Sequence, residues 1–262
     1  VEMRLKGRSN LLTFLFLLVF NFLNTQFSST SIGMLRINAR QKPIISGAHI
    51  PAWEERADAE LVALCDIHPE KIEELKEKCS VEANCYTDYK EMLEKEDLDV
   101  VVITTPDQTH KEPTIDALKK GCHVMCEKPM AKTYAEAKAM YEASVRTGKK
   151  LSIGYQNRQT PQNLYVKKCA DDGDFGEIYY GKALALRRRA VPTWGVFTQK
   201  SEQGGGALID IATHSLDMVL YMINNYKPKM LLATTYDRIK HQKETGNPFG
   251  PWDVDNYDVE ES

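Results

Sequence analysis

Three ionisable side chains, Asp210, His214 and Asp217, recur at intervals of four and three residues inside the apolar run that comes after Gly204-Gly205-Gly206. At about 100° per residue, that spacing stacks them on one narrow face of a helix. Leu208, Ile209, Ile211, Leu216, Met218, Val219 and Leu220 surround them and predict a buried helix over 208–224. Ionisable groups in such a place need a cavity, a partner or chemical work. A carboxylate one turn from an imidazole orients the ring and stabilises its protonated form, which a general base for an alcohol proton requires. The alternative is a His and an Asp bonded to each other for structure alone. The three glycines let the backbone come close to a ligand and expose the first N–H groups of the helix.

A second candidate is Glu127-Lys128-Pro129, placed where an apolar strand over 123–126 leaves its sheet, so that both charges project into a crevice instead of the core. Proline confines Lys128 to extended backbone angles, and a partly desolvated ammonium there can polarise an oxygen or pass on a proton. An ordinary exposed turn pair is the competing reading. Asp66 closes another strand, Glu60 to Cys65. In a dinucleotide fold that position bonds the adenosine ribose hydroxyls and repels a 2′-phosphate, which favours NAD over NADP. Asp66 also suits the cap of a helix starting at Pro69, and the two roles are compatible.

The elements that must position these residues alternate. Strands at 60–65, 98–103, 123–126 and 151–154 are separated by helices at 69–78, 88–95, 112–120 and 134–147, the last with Thr133 and Glu136 as capping-box partners. Such alternation predicts an α/β fold with a parallel, doubly wound sheet and ligands outside the carboxyl ends of its strands. Asp66, Thr105, Glu127 and Tyr155 fall at those ends. After Arg158 a helix over 161–170, a strand over 178–187, the helix over 208–224 and a strand over 230–236 read as a partial α+β domain. The division expected is 1–46 as an atypical segment, 47–156 as a Rossmann-like dinucleotide-binding domain and 157–262 as a partial substrate and dimerisation domain.

A net charge of -3 with mixed signs along the chain points to a small-molecule partner, with no nucleic acid and no membrane partner expected. Six cysteines form no CxxC pair and no zinc spacing, so no metal is expected, and a reducing, cytoplasmic setting is. None is placed as a nucleophile. Arg4, Lys6 and Arg8 ahead of the apolar run 11–23 have the shape of a signal peptide, which leaves secretion as an alternative. Gly33-Met34-Leu35-Arg36-Ile37 offers the first glycine of a phosphate loop but puts Leu35 where the second should be, so the Gly-x-Gly-x-x-Gly fingerprint is absent.

Thr105-Pro106-Asp107-Gln108-Thr109-His110, Glu127-Lys128-Pro129, Gly154-Tyr155-Gln156-Asn157-Arg158 and the run from Gly204 to His214 together resemble the glucose-fructose oxidoreductase / inositol dehydrogenase (Gfo/Idh/MocA) family. The resemblance covers roughly Gly47 to the C-terminus. It implies a Rossmann domain joined to an open, mainly antiparallel sheet often used for homo-oligomer formation. The implied activity is NAD(P)-dependent hydride transfer at a secondary alcohol of a sugar, polyol or derivative. Lys128, Asp210 and His214 would be catalytic. Glu127, Thr105, Pro106 and His110 would lie toward the nicotinamide, and Arg158, Trp194 and Asp217 toward the substrate. Two departures from the family pattern are expected. Residues 1–46 replace the first strand and phosphate loop, with Gly47-Ala48-His49-Ile50-Pro51 resembling only the helix start beyond that loop, and the second sheet stops short at Ser262. A catalytically inactive ligand sensor or a fragmentary family member is the alternative function.

Overall fold

The computed structural model describes the backbone of residues 30–35 and residues 48–261 apart from 188–189, 194 and 243–245. The signal-like run 11–23, residues 36–47 and Trp194 lie outside the described residues.

Six strands form one wholly parallel sheet: β1 (Thr30–Leu35), β2 (Ala59–Cys65), β3 (Asn84–Tyr86), β4 (Val100–Ile103), β5 (His123–Cys126) and β6 (Leu151–Ile153), in the spatial order β3-β2-β1-β4-β5-β6. That is the doubly wound order, and it reverses between β1 and β4, the place where sheets of this kind bind ligands outside the carboxyl ends of their strands. A first strand is therefore present, contrary to the expectation that residues 1–46 replace it. Thr30 to Leu35 pairs with β2 on one side and β4 on the other, and Gly33 lies within the strand instead of in a loop. The run is hard to recognise by pattern because it is short and lacks the glycine fingerprint that would normally mark its end.

Both faces of the sheet are covered, as the continuous apolar runs require. Along β4, Val100 and Val102 join one cluster with Trp53, Leu64 and Met125, while Val101 and Ile103 join the other with Leu118, Val124 and Met140. The helices of this half and its exit are α1 (Ile50–Glu54), α2 (Pro69–Cys79), α3 (Tyr89–Lys95), α4 (Lys111–Lys120), α5 (Tyr134–Thr147) and α6 (Pro161–Asp172). Helix α5 begins with a complete Thr133/Glu136 capping box and ends at Gly148, whose φ of 66° suits glycine at the stop.

The second half differs from expectation. Among the described residues it contains helices α7 (Lys200–Gln203) and α8 (Thr213–Ile223), with a π-helical turn at Leu208–Ala212 leading into α8, but no strand. The expected strands 178–187 and 230–236 are irregular, and Tyr179, Leu186, Leu231 and Leu232 are exposed. A strand needs a hydrogen-bonded neighbour, and these segments do not pair into a ladder. The helix expected to be buried is accordingly only half covered; Leu208 and Leu216 face outward, and His214 is its buried residue. The run 200–223 is long and apolar enough to cross a membrane. Its Asp210 and Asp217 are instead ion-paired with Lys128 and Arg158, which holds it against the sheet.

Candidate active site

Strand β5 delivers the first part of the site. The amide of Glu127 donates to Ile103 O at 2.9 Å, so the ladder runs one residue past β5 and the Glu127 side chain leaves at the carboxyl edge of the sheet. His49 Nε2 meets Glu127 Oε1 at 2.8 Å in a buried contact. Gly154 makes room for that carboxylate, since a Cβ there would stand 2.8 Å from Oε2. Burial alone would raise the Glu127 pKa, but the His49 hydrogen bond and the neighbouring Lys128 charge outweigh it and the net shift is downward. Glu127 is a held anion.

Lys128 reaches across to the second half. Its Nζ donates to the backbone carbonyl of Asp210 at 2.8 Å and to Asp210 Oδ1 at 3.3 Å, with both side chains mostly shielded from water. Asp210 sits on the π-helical turn, a local widening of the helix that recurs at functional positions. The stripe predicted from sequence spans the π-helical turn and the start of α8, and its members do not bond one another. Asp210 holds Lys128, not the imidazole as expected. His214 packs its ring edge-on to Tyr155 at 6.0 Å, and Tyr155 shares a hydrogen bond of 2.9 Å with Thr213. Burial, then the Lys128 charge, lowers the His214 pKa, so the ring is neutral near pH 7 and ready to accept a proton. Its Nδ1 has no hydrogen-bond partner among the described residues.

Arg158 and Asp217 meet in a two-pronged ion pair, with Arg158 Nε donating to Oδ2 at 2.8 Å and a second guanidinium nitrogen donating to Oδ1. The guanidinium also lies 4.6 Å from the centre of the Tyr221 ring. Both residues, expected toward the substrate, are thus engaged with each other and brace α8 against the turn after β6.

At the cofactor end, Asp66 is buried at the end of β2, and its Oδ1 accepts from the His68 amide at 3.0 Å ahead of α2. Thr105 is buried after β4 with its Oγ1 unpartnered among the described residues. Pro106 leads into a short 3-10 turn at Asp107–Thr109, and its carbonyl accepts from the Thr109 amide and hydroxyl at 2.8 and 2.7 Å. His110 is fully buried, with one ring nitrogen 2.8 Å from Thr105 O and the other 2.9 Å from Pro129 O. Burial lowers its pKa, and the neutral ring carries one N–H, which can donate to only one of these two carbonyls. Of the run Gly33–Ile37 weighed as a remnant of the phosphate loop, Gly33 to Leu35 belong to β1, and Arg36 and Ile37 lie outside the described residues.

Sequence reasoning missed His49, Asp107 and Gln203. His49 bonds Glu127, and Asp107 and Gln203 bond each other. His49 carried a signal in the Ala48-His49-Ile50-Pro51 helix start. Gln203 carried none, because a neutral residue before a glycine run reads as linker. Cys65 and Cys122 behave as expected of buried hydrophobes: burial pushes the Cys65 thiol to about 12 and the Cys122 thiol to about 11.

Residues 44–155 match the model of an oxidoreductase family with an NAD-binding Rossmann fold, and residues 163–257 match a GFO/IDH/MocA C-terminal domain. A D-glucoside 3-dehydrogenase of Escherichia coli is 38% identical over 92% of this chain and 67% of its own length. A levoglucosan dehydrogenase of Pseudarthrobacter phenanthrenivorans is 30% identical over 74% of this chain and 53% of its own. The WlbA dehydrogenase of Bordetella pertussis, solved with NADH and UDP-GlcNAcA, superposes with a TM-score of 0.64 at 27% identity, covering 74% of this chain and 58% of that one. The chain thus spans between about half and two thirds of these relatives. A parallel sheet in doubly wound order, a lysine at the end of β5 bound to an aspartate on the helix of the second half, and matches over both halves agree: this chain belongs to the Gfo/Idh/MocA oxidoreductase family.

Proposed function

We propose that this chain carries the chemistry of an NAD-dependent dehydrogenase acting on a secondary alcohol of a sugar, polyol or glycoside. The observation that carries the reading is the junction of Lys128 with Asp210, one helical turn before a buried, neutral His214. An ammonium, a carboxylate and a proton-accepting imidazole stand at the carboxyl edge of a dinucleotide-type sheet. A base for the hydroxyl proton and a cation beside the forming carbonyl oxygen suit alcohol oxidation.

The residues present fit a nicotinamide dinucleotide. Asp66 is a buried carboxylate at the strand end that receives adenosine ribose, and an anion there disfavours a 2′-phosphate, so NAD is preferred to NADP. The buried Thr105 Oγ1 and His214 Nδ1, unpartnered among the described residues, leave hydrogen-bonding capacity that a bound group can satisfy. Glu127 and Pro106 would border the nicotinamide side, with His110 buried beside them between the Thr105 and Pro129 carbonyls. A bound nicotinamide supplies the hydride acceptor in oxidation and the donor in reduction.

In this reading His214 takes the hydroxyl proton as the carbonyl forms, and Lys128 stabilises the negative charge growing on the carbonyl oxygen. Asp210 holds the Lys128 ammonium at its post. Arg158 and Asp217 fix the helix that carries His214. Trp194 and Arg158 are proposed to border the substrate mouth, a small-molecule setting with no role for nucleic acid. The free cysteines suit a reducing compartment such as the cytoplasm. The test is absorbance at the reduced nicotinamide band with purified protein, NAD and a set of glucosides and inositols. Hydroxyl-dependent reduction of NAD supports the proposal. NADH binding without turnover on any of them would instead favour a ligand sensor.

A further inference from the structure

Lys128 is surrounded by more carboxyl groups than one ammonium can balance. Asp210 lies against it, Glu127 adjoins it in sequence, and Asp107 feels its charge from the 3-10 turn after β4. Three anions about one cation in a shielded place are costly, and the strain is relieved when one of them keeps a proton. Glu127 is held as an anion by His49, and Asp210 is paired with Lys128. Asp107 has neither a cation nor an imidazole bonded to it among the described residues. Its Oδ2 accepts from Gln203 Nε2 at 2.7 Å.

That bond is placed to do mechanical work. Gln203 is 2% exposed and is the last residue of α7; Gly204 comes next in a left-handed turn at φ 82° and leads into the helix bearing Asp210 and His214. The contact therefore ties the end of β4 to the point from which that helix departs. We propose that Asp107 is a positioning residue that stores a proton as the third carboxyl group beside Lys128 and, through Gln203, fixes the start of the Asp210/His214 helix against the sheet. Its kinetic consequence rests on the dehydrogenase reading, but its stored proton is readable in the fold alone.

The charged and titratable groups facing Asp107 are Lys128 and Glu127 beyond β5, Cys126 on β5, Tyr155 after β6 and Asp210 on the helix. Burial raises the Asp107 pKa, Lys128 opposes this, Asp210 and Glu127 add to it, and the balance stands at about 7. An aspartate in an unfolded chain titrates near ~3.9. Between those values the folded protein holds a proton that the unfolded chain has released. Its contribution to stability is therefore lost as pH rises from about 4 to about 7, then levels off.

The experiment is thermal unfolding against pH for the wild type, Asp107→Asn and Asp107→Ala. The asparagine keeps an acceptor for Gln203 and cannot ionise. It should flatten the decline between about pH 4 and 7 and melt above the wild type at about pH 8. The alanine leaves the buried Gln203 amide without its partner and should melt below the asparagine variant at every pH. Parallel wild-type and asparagine curves, or an asparagine variant less stable at about pH 8, would overturn the stored proton.

A second measurement separates positioning from plain support. If the chain turns over, Asp107→Asn should remove an inflection near pH 7 from the rate profile. Gln203→Ala should lower kcat at all pH while leaving that inflection in place. An inflection unmoved by Asp107→Asn counts against the proposal. If no substrate turns over, the dehydrogenase reading fails, yet the melting curves still decide whether Asp107 carries the proton.

Discussion

Lys128 and His214 divide the work of handling charge and handling a proton, and the two tasks fail differently when removed. Replacing Lys128 with methionine keeps most of the side chain's length and deletes its charge. Turnover should fall by about 10² to 10⁴-fold, because the charge matters most as the carbonyl oxygen gains density. NADH affinity, read by fluorescence titration, should stay within about twofold, since Lys128 bonds Asp210 and not the dinucleotide end. Retained turnover would remove Lys128 from the mechanism. For His214, burial lowers the pKa below its ordinary value, and the neutral ring is the competent base. Oxidation should therefore be constant above about pH 6.5 in this limb and fall as pH drops through the lowered value. His214→Asn should abolish that acid limb along with most of the rate. A limb that persists in the variant would assign it to another group.

Among the elements, helix α5 shows how local signals decide a fold. Thr133 accepts from the Glu136 amide at 3.3 Å while Glu136 Oε2 accepts from the Thr133 amide at 3.1 Å. Both contacts are readable from two residues at a fixed spacing. Thr133→Ala should cost about 1 kcal/mol in urea unfolding and leave turnover unchanged, as α5 packs behind the sheet far along the chain from Asp210. Loss of activity at unchanged stability would show that α5 does more than support. The same kind of signal makes β2, β5 and the parallel order legible, because each strand is apolar on both faces and bounded by a helix with its own stop. Strand β1 is not legible, since its pairing comes from β2 and β4 on either side and not from a pattern of its own. The site divides in the same way. Periodicity finds the Asp210, His214 and Asp217 face, but which partner each carboxylate takes depends on residues far away in the chain. The Lys128–Asp210 and Arg158–Asp217 contacts join separations of 82 and 59 residues, beyond any local pattern.

On the scale of the whole molecule, covered and uncovered apolar surface are unevenly distributed. The sheet half has apolar clusters on both faces, whereas Tyr179, Leu186, Met230, Leu231 and Leu232 of the second half are each more than 80% exposed. Exposed apolar side chains on segments that lack a strand neighbour are a ready surface for association. The chain is therefore expected to self-associate through this side, consistent with the homo-oligomer anticipated for the family. Sedimentation velocity over a range of concentrations should show a rising mass. Paired substitutions Leu231→Lys and Leu232→Lys should shift it to monomer, because two ammonium groups cannot enter an apolar contact without a large desolvation cost. Both residues lie well along the chain from Lys128, Asp210 and His214, and their side chains enter none of the contacts that hold those groups. NAD-linked turnover per chain should accordingly survive the change. A wild type that stays monomeric throughout would show that the exposed side is tolerated as it stands. A monomeric variant that loses turnover would instead mean that association is needed to hold Asp210 and His214 against Lys128.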